Sequence, residues 1–176
     1  PIAKALNDGA DIVITGRSVD SAVTLAACIY SFNWTEHDYN KLASGSLAGH
    51  IIECGTQSTG GNFTDWKLVS QNLYQIGYPI VDINENGEFD CSKSKDSTGL
   101  VSFGTVAEQM LYEIGDPQSY ILPDVICDFS KVKINEIEKD TVRVSGAIGY
   151  PAPKEYKVCA TYTDGFRAGH LCSFVG

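Results

Sequence analysis

His50, Glu53 and Gln57 stand three and four residues apart in the run Ala48-Gly49-His50-Ile51-Ile52-Glu53-Cys54-Gly55-Thr56-Gln57-Ser58-Thr59-Gly60-Gly61-Asn62-Phe63. On a helix turning about 100° per residue they share an arc of roughly 60°, while Leu47, Ile51 and Ile52 take the other side. A titratable imidazole beside a carboxylate is the equipment of proton transfer, with Glu53 as general acid or base and His50 as its partner. A packed histidine donating to Glu53 fits the same spacing. Metal binding fits less well, because helical His ligands recur at i and i+4 and that position is Cys54. A third ligand would have to come from the distant His170, so no metal centre is expected. Cys54 lies one turn from His50 on the same face, an awkward geometry for attack on a shared substrate. It is expected to be a small buried hydrophobe.

Two glycine-containing turns offer anion sites. Thr59-Gly60-Gly61-Asn62 could form a backbone nest for a carboxylate, a thioester oxygen or a phosphate, and a plain helix stop would need only one glycine. Thr15-Gly16-Arg17-Ser18 lies between an apolar run and a helix, where free N–H groups and the helix dipole favour a negative ligand. Arg17 could fork onto such a ligand, or pair with Asp20 in the first helical turn. Gly49 and Gly55 each cost a helix roughly 1 kcal/mol relative to Ala, which close helix packing or ligand approach would explain. The chain has no Walker A lysine, no GxGxxG and no GxSxG, so nucleotide-loop and serine-hydrolase readings lack support.

The elements that must position these groups can be read from periodicity. Ile2–Leu6 reads as a helix tail stopped by Asn7-Asp8-Gly9. Asp11-Ile12-Val13-Ile14-Thr15 reads as a strand buried on both faces of a parallel sheet. Val19–Phe32 is apolar almost all round and reads as a buried helix. The spacing of Thr35 and Asp38 opens a short helix through Ala43, after which Ser46 can cap a second helix ending near Gln57. Asn86-Gly87 predicts a hairpin between 79–83 and 88–91. Thr105 with Glu108 makes a capping box for a helix through Ile114. From Ile121 the reading is mostly strand, with 132–134 paired to 142–144 and Tyr156–Tyr162 paired to His170–Val175.

The expected fold class is therefore α/β: a partly parallel sheet with helices over residues 1–115, then a β-rich α+β part over 116–176. The 176 residues, 43% hydrophobic and 20% charged, suit an ordinary globular core. A net charge of -9 and scattered basic residues argue against nucleic acid as a partner. No apolar run approaches the roughly 20 residues of a membrane span. The six cysteines show no CxxC pair, which fits a reduced, intracellular and cytoplasmic protein with buried thiols. A chain opening on Pro1 and closing on an open strand reads as a segment of a longer protein.

Together these residues resemble the acyclic terpene utilisation (AtuA-like) family. The matching pieces are 9–17, Phe32-Asn33-Trp34, the His-x-x-Glu-Cys-Gly-x-Gln-x-Thr-Gly-Gly block from His50 to Gly61, 109–114, Asp116-Pro117, Pro123-Asp124-Val125 and 162–166. The resemblance implies a place in branched-chain or terpenoid acyl-CoA or carboxylate catabolism and no particular reaction; the polar helix face beside the glycine turn adds the expectation of hydration, lyase or isomerisation chemistry. A CoA thioester would then be the substrate rather than a resident cofactor. On that reading Glu53 and His50 are catalytic, and Thr15, Gly16, Arg17, Gln57, Thr59, Gly60, Gly61 and Asn62 bind the ligand. The same resemblance allows a homo-oligomer, or a non-catalytic subunit that binds an acyl-CoA carboxylase. The His50 face and both glycine turns are expected to open into one cleft.

Overall fold

A computed structural model describes residues 1–69, 72–155, 158 and 160–173. Helix α3, Tyr39–Glu53, runs through the middle of the molecule with Leu42 to Ile51 buried on every face. Its run of Ala43, Ser44, Gly45, Ser46, Ala48 and Gly49 explains how: small side chains let neighbours approach from all round. At Gly45 a Cβ would stand 3.0 Å from Leu25 and the Trp34 ring, and at Gly49 it would stand 2.7 Å from the Ser21 carbonyl oxygen. The short helix α1 is Ile2–Asn7, and α2 is Ala22–Phe32, which ends on Asn33 in the left-handed region.

Two antiparallel sheets flank α3. The first has the order β1-β2-β6-β5 and the second β3-β4-β7. Their strands are β1 Pro79–Ile83, β2 Phe89–Lys93, β3 Tyr120–Ile121, β4 Val125–Asp128, β5 Lys133–Glu138, β6 Thr141–Ser145 and β7 Ile148–Pro151. Alternation sets the inward faces: Phe89 and Cys91 from β2 meet Val142 and Val144 from β6 in the core with Leu47 and Ile51. The first sheet joins strands from both sides of residue 115. Helix α4, Phe103–Leu111, packs across α3 and buries Val106. Among the described residues no helix is long and apolar enough to cross a membrane.

The hairpin at Asn86-Gly87 forms as expected. Asn84 N–H donates to the Glu88 carbonyl at 3.0 Å, and Gly87 takes φ +89°. The 142–144 strand pairs with the preceding one as expected, across a tighter turn at Lys139-Asp140.

Several expectations are corrected. Among the described residues no strand pair is parallel: β1–β2, β3–β4 and β5–β6 join through tight turns, and β6 and β7 return antiparallel beside β2 and β4 after long connections. Asp11–Thr15 is not a strand. Ile12 and Ile14 are 81% and 92% exposed, because no neighbouring strand pairs that backbone. Residues 39–53 form one helix rather than two, with Ser46 buried inside it; the Thr35–Asp38 pair closes the turn before it. That helix stops at Glu53, and Gln57–Thr59 is a separate 3-10 turn after Gly55 at φ +59°. Helix α2 starts at Ala22 and leaves Val23 and Tyr30 exposed. Helix α4 is capped by Ser102, with Thr105 as the third helical residue, and ends at Leu111. Of the expected 156–162 and 170–175 pair, 156, 157, 159, 174 and 175 lie outside the described residues; Val158 and 160–173 form no strand and lie exposed, with no partner edge alongside.

Candidate active site around His50

The carboxyl end of α3 carries the chemistry. His50 is 7% exposed. Its buried Nε2 has no hydrogen-bond partner, and the backbone carbonyls of Gln109 and Tyr112 act on the ring to favour its charged form. In the neutral ring Nε2 can therefore serve as the lone-pair nitrogen, no protein group competing for it. Burial lowers the pKa of His50 below its ordinary value, against the opposing pull of the Glu53 and Glu113 charges. The imidazole is therefore unprotonated at neutral pH, which is the form that accepts a proton.

Neighbouring groups reach this ring from separate elements. Tyr120 of β3 lies with its ring centroid 6.4 Å from that of His50 and 6.0 Å from that of Phe129. Burial raises the pKa of Tyr120, the neighbouring Cys127 and the carboxylates of Asp20, Glu113 and Glu53 add to it, and the phenol stays protonated. Gln109 of α4 donates to the His50 carbonyl at 2.8 Å, and its own Oε1 is buried without a partner. Gly49 explains how Asp20 arrives. With no Cβ on Gly49, Ser21 sits directly on α3, one residue from His50.

Glu53 ends α3 half-buried and accepts a hydrogen bond from the Cys54 thiol at 2.7 Å. Burial and this carboxylate push the Cys54 thiol up to about 11, far from the thiolate a nucleophile needs. The structure thus brings His50 and Glu53 within electrostatic reach without a direct hydrogen bond between them.

The two glycine turns behave differently. Arg17 is exposed and donates to Asp20 at 2.9 Å, the local ion pair, and Thr15 and Gly16 are exposed beside it. In the second turn the N–H groups of Thr59, Gly60 and Gly61 donate to the carbonyls of Thr56, Gln57 and Thr56. Those donors are engaged within the chain. A Cβ on Gly60 would meet Val69 at 2.8 Å, and one on Gly61 would meet the Thr56 hydroxyl at 2.3 Å, so packing and turn geometry explain both glycines. Gln57 is half-buried in the 3-10 turn and Asn62 is exposed after it.

Tyr120, Gln109 and Glu113 carried no mark of chemistry in the sequence. Glu113 has one in the structure: it sits at φ +58° where the other left-handed non-glycine residues among those described are Asn33, Asn72 and Asp140. Asn and Asp tolerate that region, and Glu does not do so routinely. A separate cleft of about 440 Å³ lies against Trp34, His37, Tyr39 and Asp124. Tyr39 is eleven residues before His50, about 16 Å along the helix, so this cleft is at the far end of α3.

The family model for acyclic terpene utilisation family protein AtuA matches residues 1–176. The chain belongs to the acyclic terpene utilisation family. Its match covers α3, both sheets and every residue of the His50 cluster. No curated protein and no solved structure matches it. Membership ties this AtuA-family chain to acyclic terpene utilisation.

Proposed function

We propose that this AtuA-family chain is an acid–base enzyme of branched-chain or terpenoid acyl-CoA or carboxylate catabolism, working by hydration, lyase or isomerisation chemistry. The observation that carries the reading is the buried, unprotonated His50 with an unengaged Nε2, ringed by groups from three other segments. Such chemistry begins by removing a proton next to a carbonyl, and a neutral imidazole with an unpartnered nitrogen is suited to that task. Glu53 and Glu113 then stabilise the imidazolium that forms, as their opposing effect on the His50 titration requires.

The full-length protein is tested by thermal shift against free CoA, branched acyl-CoAs and small branched carboxylic acids. A ligand at a hundredfold excess over its dissociation constant stabilises the native state by about 2.7 kcal/mol. His50→Gln should abolish turnover with little change in melting temperature. A second reading, a non-catalytic subunit docked on an acyl-CoA carboxylase, draws support from the exposed Ile12 and Ile14. Affinity purification that recovers a stoichiometric carboxylase, together with full function in His50→Gln, would favour it.

A further inference from the structure

We propose that Tyr120 is a catalytic residue of the His50 site, the hydrogen-bond donor that holds the carbonyl oxygen of the substrate while His50 removes the neighbouring proton. This rests on the acid–base reading above.

Three observations place it there. The Tyr120 ring is in contact with the ring of His50, a side chain more than nine-tenths buried with an unpartnered Nε2. The Tyr120 side chain is half-buried, and its hydroxyl makes no hydrogen bond among the described residues, so the donor is uncommitted. Two polar side chains on adjacent rings thus each carry an atom that no protein group engages. Phe129 also packs against the Tyr120 ring, with centroids 6.0 Å apart, so the donor is held in place before substrate arrives.

The surroundings select the role. Asp20 comes from the entry to α2, Glu53 from the end of α3 and Glu113 from beyond α4, and all three charges act on Tyr120. Negative charge around a phenol opposes its ionisation, so Tyr120 is kept as a donor and cannot serve as the base. His50 is the complement, a base kept neutral by burial. In the step itself the Cα–H bond breaks and its proton goes to His50 Nε2. The electron pair moves into a Cα–C double bond, and the charge arriving on the carbonyl oxygen is met by the Tyr120 O–H. Return of the proton from His50 to carbon restores both residues.

Proton exchange at Cα tests this without knowledge of the complete reaction. Full-length protein is incubated with 3-methylbutanoyl-CoA in D2O, and deuterium uptake is read by mass spectrometry. Wild type is expected to exchange the Cα protons, and His50→Gln to lose the activity. Tyr120→Phe keeps the ring and its packing, so its melting temperature should stay close to wild type while exchange falls about 100-fold, the scale of losing one oxyanion donor. Activity of Tyr120→Phe equal to wild type, with His50→Gln inactive, overturns the assignment of Tyr120 and leaves the reading of His50 standing. Full exchange in His50→Gln, or none in wild type, overturns the acid–base reading and the assignment with it.

Discussion

Gly49 is the residue on which the site's assembly turns, because its missing Cβ admits Ser21 and so brings Asp20 toward Tyr120. Gly49→Ala would place a methyl 2.7 Å from the Ser21 carbonyl oxygen. Overpacking of that kind costs about 1–3 kcal/mol, measured by denaturant unfolding. A neutral result would mean that α2 slides away without loss. The residue scale also separates the thiols. Cys54, pushed up to about 11, should resist iodoacetamide at pH 7.5, while the exposed Cys172 is alkylated first; peptide mapping after a short pulse distinguishes them. His50 and Glu53 were legible in the sequence because their types and spacing announce proton chemistry. Tyr120 was not, since an aromatic residue on a two-residue strand has no pattern that separates a packed ring from a donor. The glycine pair Gly60-Gly61 is ambiguous for a related reason: a turn that engages its own N–H groups, as this one does, and a nest that offers them share one composition.

At the scale of elements, α4 shows how a local rule places a site residue. Ser102 accepts from Thr105 N–H, and the Thr105 hydroxyl accepts from Ser102 N–H. That cap sets the start of the helix, and with it the reach of Gln109 to the His50 carbonyl. Ser102→Ala should cost about 1 kcal/mol by chemical denaturation. A cost near zero would mean that packing alone holds α4. Sequence patterning located this helix, the hairpin at Asn86-Gly87 and the 142–144 strand, all of which are specified by neighbours in the chain. It failed at Asp11–Thr15, whose apolar run has the composition of a buried strand but no strand to pair with. Strand status is decided by a partner, and composition carries no record of where the partner lies. The same blindness produced the parallel sheet: direction depends on how distant segments return, as β6 does beside β2.

For the whole molecule, burial of His50 links the site to folding. Its folded pKa is lowered, so the unfolded chain binds that proton more tightly. Stability is then complete above the unfolded value of about 6.5 and declines as pH falls below it, with a slope of at most about 1.4 kcal/mol per pH unit. Asp90, held low by Arg143, has its effect in a more acidic window, below about pH 4. Unfolding free energy followed from pH 7.5 to 5 should therefore drop in wild type and flatten in His50→Gln. The central claim, that His50 is a neutral base with an unpartnered Nε2, is tested most directly by nitrogen-15 NMR of the histidine rings, with the exposed His37 and His170 as internal references. At pH 6.5 His50 should be neutral, with the proton on Nδ1 and the lone pair on Nε2. A charged His50 at that pH, or a proton resident on Nε2, would contradict the account.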